Sequence, residues 1–237
     1  MKLNVCESYH QLSRNVSNYI VNFLSNNREA LFCFAAGESP LQVFNYLVDA
    51  SQGKLINLDY ARFIGLDEWV GLNANDSGSC RHTLDSHLFH PLKISSSQIH
   101  FFNGRGDKGE ECKRINSFLK NEGPVDLALL GIGLNGHVGF NEPGSPRDSL
   151  VREVELKPET LEEGKKYFKT EQILNKGLTL GMKQILESKN IILIASGEKK
   201  AKIVQKILQS PPTNILPATF MKEHSHCQLF VDQKAYL

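Results

Sequence analysis

The chain has 237 residues, of which 41% are hydrophobic and 22% are charged, and its formal net charge is +1. A chain of this length can bury one α/β domain, and it has no basic tract or long apolar run that would indicate a nucleic-acid partner or a membrane span. The cysteines lack CxxC or metal-ligand spacing, which favours reduced thiols, no metal site and a cytoplasmic location.

Short apolar runs alternate along the chain with segments whose apolar residues recur at helical spacing. In chain order the pattern predicts helix 9–24, strand 29–36, helix 41–50, strand 61–66, strand 99–102, helix 109–119, strand 125–130, helix 173–186, strand 190–195, helix 199–208 and strand 228–231. This alternation predicts a single doubly wound α/β domain over residues 1–237, with a mostly parallel, Rossmann-like sheet and helices on both faces. The longest stretch without a regular pattern is 140–157, and long loops in compact domains are often functional.

The residues after each predicted strand are candidates for a ligand site, because ligands of doubly wound folds lie beyond the carboxyl ends of the strands. After the first strand, Gly37 allows a tight turn, Ser39 can cap the next helix and Pro40 suits its first position. The N–H groups of such a turn can bind an anion such as phosphate. Glu38 fits that interpretation only if its side chain points away, and an ordinary strand-to-helix turn is the alternative.

The second strand is followed by two adjacent carboxylates, Asp67 and Glu68, beside Trp69, the only tryptophan. Consecutive strand residues face opposite ways, so one carboxylate can enter a cleft while the other packs outside it. A partly desolvated carboxylate in a cleft is a candidate base, because burial raises the pKa of a carboxyl group. A solvated turn or helix cap is the alternative interpretation.

The fourth strand leads into the most informative stretch of the chain, residues 131–144. Its glycines satisfy the letters G-x-G-x-x-G, but the prolines and glycines that follow predict no helix there, which argues against a nicotinamide cofactor. His137 has Asn135 two residues before it and Glu142 five residues after it, in a loop rich in glycine. This arrangement predicts an oriented acid/base in which Asn135 or Glu142 fixes the imidazole tautomer, with a structural histidine as the alternative.

The fifth strand is followed by Lys199 and Lys200, at the start of a predicted helix. Lysines in a first helical turn oppose the helix dipole, so an anion at the strand end would explain them. A solvated lysine is the alternative for either residue taken alone.

Four segments together resemble the glucosamine-6-phosphate deaminase family. They occur in the order and at the spacing of that family over nearly the whole chain, and they are residues 66–71 (LDEWVG), 131–144, 178–181 (LTLG) and 217–219 (PAT). The Asn-Glu-Pro-Gly sequence at 141–144 distinguishes these enzymes from the related 6-phosphogluconolactonases. Trp69 and the segment Gly78-Ser-Cys80 resemble the galactosamine-6-phosphate branch of the family.

The resemblance implies an isomerising deamination, in which a hexosamine 6-phosphate and water give a ketohexose 6-phosphate and ammonia without a metal or organic cofactor. Asp67 would move a proton between C2 and C1, His137 would open the sugar ring, and Glu142 and Asn135 would support His137. The implied ligands of the substrate and its phosphate are Gly37, Glu38, Ser39, Gly136, Lys166 and Lys200. Family members range from monomers to hexamers, which leaves the number of subunits open.

Several positions depart from the usual family pattern. Many members have Asp where this chain has Asn135, and an amide accepts a hydrogen bond but supplies no charge. Glu38 in the phosphate loop predicts weaker phosphate binding or a different sugar. Lys166 stands where arginine is common, which replaces a planar fork with a point charge, and Trp69 lacks the hydroxyl of the usual tyrosine. Val154 aligns with a lysine of the family's allosteric pocket, so no allosteric activation is predicted.

Two other functions stay open at this point. A lactone hydrolase would use His137 on water and would not depend on Asp67. A catalytically silent sugar-phosphate sensor is suggested by Glu38 and Asn135. Lactone hydrolysis measured against ammonia release separates the first from a deaminase, and any turnover that depends on Asp67 excludes the second.

Overall fold

A computed structural model describes residues 1–168 and 174–237. In these ranges the strands are β1 (Lys2–Cys6), β2 (Leu31–Phe34), β3 (Arg62–Gly65), β4 (Asp67–Trp69), β5 (Ile99–His100), β6 (Leu127–Gly131), β7 (Arg152–Glu155), β8 (Lys176–Thr179), β9 (Asn190–Ala195) and β10 (Cys227–Asp232). The α-helices are α1 (Tyr9–Asn26), α2 (Leu41–Gln52), α3 (Cys80–Leu84), α4 (Lys108–Glu122), α5 (Pro158–Gly164), α6 (Met182–Leu186), α7 (Ala201–Gln209) and α8 (Gln233–Tyr236). None of these helices is both long and apolar enough to cross a bilayer.

The main sheet of the described chain is parallel throughout, with the strand order β1-β10-β9-β6-β2-β3-β5. Its central strands β6 and β9 are buried along almost their whole length, as expected for a parallel sheet covered on both faces. The predicted doubly wound α/β fold is confirmed, and all six predicted strands are present, as β2, β3, β5, β6, β9 and β10. β1 was not predicted, because its residues are largely half-buried or exposed.

A second sheet, with the order β4-β8-β7, lies at the carboxyl end of β3 and was not predicted. The chain leaves the main sheet at Leu66, and β4 then pairs antiparallel with β8, Asp67 opposite Thr179. β8 pairs on its other side with β7, which lies within the stretch that has no regular sequence pattern. This sheet fixes the backbone of Asp67 at the edge of the main sheet.

The predicted helix 173–186 is wrong. Its first residue lies outside the described residues, residues 176–179 form β8, and only Met182–Leu186 is helical. Gly177 and Gly181 explain the difference, because glycine is a poor helix former and both glycines sit where backbone and rings approach closely. A Cβ on Gly177 would lie 2.3 Å from the Phe140 ring, and a Cβ on Gly181 would lie 1.9 Å from the Ser149 carbonyl oxygen.

Candidate active site

A cavity of about 390 Å³ lies at the carboxyl edge of the main sheet. Its lining includes Gly37 after β2, Asp67 after β3, His137 after β6 and Lys200 after β9. These residues come from four different strand ends, as expected for a ligand site in a doubly wound fold. Among the described residues, no cluster of three His, Cys, Asp or Glu side chains is arranged to hold a metal ion.

Asp67 is one of two adjacent carboxylates that the structure separates. The side chain of Asp67 is buried and lines the cavity, next to Cys80. Burial raises the pKa of Asp67 to about 7; a hydrogen bond from Cys80 opposes this rise, and the nearby Glu68 adds to it. A carboxyl group with such a pKa can both accept and return a proton near neutral pH.

Glu68 faces away from the cavity and has a structural role. It is fully buried, and its carboxylate accepts hydrogen bonds from Ser79 Oγ at 2.6 Å and from the backbone N–H groups of Trp69, Cys80 and Arg81 at 2.9–3.1 Å. The last two N–H groups lie at the start of α3, where backbone donors have no partner within the helix. Glu68 thus anchors the segment that carries Cys80 against Asp67.

His137 is held through its Nδ1 atom. Asn135 Oδ1 lies 2.8 Å from Nδ1, and the Thr160 hydroxyl lies 3.1 Å from it. Asn135 Nδ2 donates to Glu142 Oε2 at 2.8 Å, and a carboxylate only accepts hydrogen bonds, so the amide must present its oxygen to His137. Nδ1 therefore carries the proton, and Nε2 is the nitrogen available to a ligand.

Glu142 contacts Asn135 directly and lies close to His137. Its Oε2 atom is 3.6 Å from His137 Nδ1, which is an electrostatic contact beyond hydrogen-bond range. Burial raises the pKa of Glu142, but the neighbouring His137 and Thr160 side chains and the Lys157 backbone N–H outweigh burial and lower that pKa to about 2. The carboxylate is therefore ionised at neutral pH, and it holds the Asn135 amide that contacts His137 Nδ1.

The glycines that precede His137 form a turn, and the imidazole ring packs against this turn. Gly133 N–H donates to the His137 carbonyl at 2.9 Å, and a Cβ on Gly133 would lie 2.3 Å from the imidazole ring. Gly136 has a φ of +85°, and its N–H donates to the Gly133 carbonyl. Gly136, predicted to contact substrate, is absent from the described cavity lining and packs instead against Leu216.

The other predicted anion ligands meet at one end of the cavity. Gly37, Glu38 and Ser39 follow β2, and they line the cavity together with Lys166 and Lys200. α2 begins at Leu41, as predicted, but its N-cap position is Pro40, and Ser39 makes no capping hydrogen bond to the helix. The predicted cap is therefore absent, and the Ser39 hydroxyl makes no hydrogen bond to the start of the helix.

Lys200 lies in a 3-10 turn, Glu198–Lys200, that leads into α7. Its Nζ atom donates to the Ile132 carbonyl at 2.6 Å. Burial lowers the pKa of Lys200 to about 8, with Glu163 and Glu38 opposing and Lys166 assisting this shift. An ammonium that is partly stripped of water binds an incoming anion strongly, because less hydration is lost when the anion arrives.

Thr160 and Tyr167 also line the cavity, and sequence reasoning missed both. Thr160 lies on α5 and Tyr167 on the 3-10 turn Lys165–Tyr167 that follows it. Neither residue belongs to a recognisable motif. Only the packing of α5 over the loop of His137 brings them to the site.

The model of one protein family, glucosamine-6-phosphate isomerases/6-phosphogluconolactonase, matches residues 6–230. This chain therefore belongs to a family of enzymes that act on sugar phosphates, the glucosamine-6-phosphate isomerase/6-phosphogluconolactonase family. Within the family its similarity is to the deaminases: glucosamine-6-phosphate deaminase 2 of Giardia intestinalis is 34% identical, with 93% of this chain and 85% of that protein covered. The family predicted from the motifs is confirmed.

Further relatives support the same assignment. Glucosamine-6-phosphate deaminase 2 of Bacillus subtilis is 32% identical, with 99% of this chain and 96% of that protein covered. The solved structure of a monomeric glucosamine-6-phosphate deaminase superposes with a TM-score of 0.96 at 30% identity, covering 99% of this chain and 98% of that one. The 6-phosphogluconolactonase of Trypanosoma brucei, at a TM-score of 0.80 and 19% identity, shares the fold.

Proposed function

We propose that the protein is a deaminase/isomerase that converts a hexosamine 6-phosphate and water to a ketohexose 6-phosphate and ammonia. The observation that carries this proposal is the pairing of two proton-transfer groups in one cavity. Asp67 has a pKa of about 7, and His137 has its Nδ1 proton fixed by Asn135. Gly37, Ser39, Lys166 and Lys200, at one end of the same cavity, are suited to a phosphate group.

The geometry supports a reaction in three stages. His137 Nε2 accepts the proton of the anomeric hydroxyl and returns it to the ring oxygen, which opens the pyranose. Asp67 then removes the proton at C2 while O1 takes a proton from the ammonium group of the substrate, giving an enolamine, and the protonated Asp67 delivers its proton to C1. The resulting C2 imine adds water and releases ammonia, which leaves the ketone. Glu142 accepts a hydrogen bond from Asn135, which holds the His137 ring in place during the first stage.

Within this class of substrates we propose galactosamine 6-phosphate, with tagatose 6-phosphate as product, in amino-sugar catabolism; glucosamine 6-phosphate and fructose 6-phosphate are the other pair. The support is that both residues resembling the galactosamine branch, Trp69 and Cys80, line the cavity. Trp69 is buried against Phe140, with ring centroids 4.8 Å apart. A single side chain beside the sugar can discriminate the two orientations of one hydroxyl group.

The test is ammonia release from galactosamine 6-phosphate and glucosamine 6-phosphate in parallel, with 6-phosphogluconolactone hydrolysis measured on the same preparation. Ammonia release from either amino sugar supports the deaminase, and the faster sugar identifies the substrate. Lactone hydrolysis without ammonia release would replace the proposal with a lactonase. Binding of a hexosamine phosphate without turnover would replace it with a silent sensor.

The pH dependence of kcat/KM for ammonia release is expected to reflect the titration of two groups, Asp67 and Lys200. It is expected to rise up to about pH 7, because Asp67 accepts a proton only above its pKa. It is expected to fall above about pH 8, because Lys200 attracts phosphate only below its pKa. A full pH profile checks both limbs.

The variant Lys200→Arg provides the control for the alkaline limb, since arginine keeps its charge at every accessible pH. In that variant the fall above about pH 8 should disappear. An unchanged alkaline limb would assign it to another group, such as the amine of the substrate.

We also propose that residues 1–237 act as one sugar-phosphate isomerase/deaminase domain in the cytoplasm. All five cysteines are free thiols, which suits a reducing compartment. The number of subunits, from a monomer to a homo-oligomer, is measurable by light scattering coupled to size-exclusion chromatography.

A further inference from the structure

An ion pair crosses the phosphate end of the cavity. Lys166 Nζ lies 2.7 Å from Glu38 Oε2, although the two residues are 128 positions apart in the chain. Glu38 belongs to the turn after β2, and Lys166 belongs to the turn Lys165–Tyr167 after α5. Both side chains line the cavity, so the contact is made where the substrate phosphate is proposed to bind.

The neighbouring Tyr167 strengthens this contact between the two turns. Its hydroxyl interacts with the backbone N–H of Glu38, and a Cβ placed on Gly37 would lie 3.6 Å from the same hydroxyl. The N–H of Glu38 is one of the donors that an anion in this turn would use. Lys166 therefore contacts the carboxylate of Glu38, and Tyr167 contacts the backbone N–H of the same residue, in the turn after β2.

The charges around this end of the cavity are nearly balanced. Lys166, Lys199 and Lys200 contribute positive charge, and Glu38 and Glu163 offset two of these charges. Glu163 Oε2 is 3.5 Å from Lys166 Nζ, a longer contact than that of Glu38. Glu38 is thus the carboxylate that holds Lys166 directly.

We infer that Glu38 competes with the phosphate of the substrate for Lys166 and thereby lowers the affinity of the site for phosphate. The inference rests on the proposed function, since it assigns this end of the cavity to a phosphate ester. A carboxylate paired with Lys166 both occupies its donors and repels an incoming dianion. A sugar phosphate has the contacts of its sugar to offset this competition, whereas a free phosphate ion has none.

The change that tests this inference is Glu38→Gln, which keeps the size of the side chain and removes its charge. Inorganic phosphate is expected to bind the variant about threefold to tenfold more tightly, the range expected for a solvent-exposed ion pair together with the repulsion that it relieves. The KM for the amino-sugar phosphate should fall by a similar factor, because both ligands displace the same carboxylate. The gain should shrink at high salt.

Isothermal titration calorimetry with inorganic phosphate measures the effect without any need for turnover. The matched control is Glu162→Gln, which removes the same charge from α5 where Glu162 pairs with Lys165 outside the cavity lining. This control should bind phosphate like the unchanged protein. In a Lys166→Gln background, Glu38→Gln should give a much smaller gain, because the contested cation is gone.

Equal phosphate affinity in Glu38→Gln and the unchanged protein, or a gain that persists fully without Lys166, would overturn the inference. Ammonia release by the unchanged protein distinguishes this failure from failure of the proposed function. If ammonia is released and the phosphate affinity does not respond to Glu38, the competition is absent and the deaminase stands. If no ammonia is released but Glu38→Gln binds phosphate more tightly, the anion site stands and the reaction does not.

Discussion

Replacing Asp67 with asparagine is expected to lower the turnover of a hexosamine 6-phosphate at least about 100-fold, with little change in KM. The amide keeps the shape of the carboxylate but cannot accept the C2 proton. Burial raises the pKa of Asp67 to about 7, so the carboxyl group is matched to proton transfer near neutral pH. Steady-state kinetics of ammonia release give kcat and KM separately.

The control for Asp67→Asn is Asp59→Asn, which removes a carboxylate from an exposed position remote from the cavity and should leave kcat unchanged. Asp67→Asn also separates two reactions, because lactone hydrolysis through His137 would not need this carboxylate. Full activity in Asp67→Asn would remove this residue from the mechanism. Equal losses in both variants would indicate a general effect of charge.

The sequence correctly predicts the strands whose side chains are buried along most of their length. β6 and β9 are apolar runs buried in the centre of a parallel sheet, and no polar pattern competes with that signal. β4 and β7 have only three and four residues, and their pairing depends on where the chain turns at Leu66. β8 was predicted as helix because its apolar spacing continued into α6, whereas pairing with β4 and β7 decides its structure.

The candidate site also contains some contacts that the sequence predicts and others that it does not. Asn135, His137 and Glu142 lie within one loop, so their spacing alone predicts that they interact, and they do. Thr160 reaches His137 from a helix 23 residues further along the chain, at a distance that no local pattern encodes. The sequence predicts that Glu38 fits an anion site only if its side chain points away, and its contact with Lys166 becomes visible only when the turns after β2 and α5 meet.

Substituting alanine for Gly133 is expected to lower turnover to a degree similar to that of removing His137, about 100-fold. The added Cβ would lie 2.3–2.4 Å from three atoms of the imidazole ring, which are its three nearest neighbours. The φ angle of Gly133 is not in the left-handed region, so the backbone accepts alanine without strain. The ring must move, and it then loses the 2.8 Å contact between Nδ1 and Asn135 that fixes its tautomer.

A double-mutant cycle with His137→Ala isolates this effect, because the clash exists only when the imidazole is present. In the His137→Ala background, Gly133→Ala should cost almost no further activity, and ammonia release from the four proteins measures the coupling. Additive losses would mean that Gly133→Ala disturbs the loop by a route that does not involve His137. Since the three nearest neighbours of a Cβ at position 133 are all atoms of the imidazole ring, the two substitutions are expected to act as one.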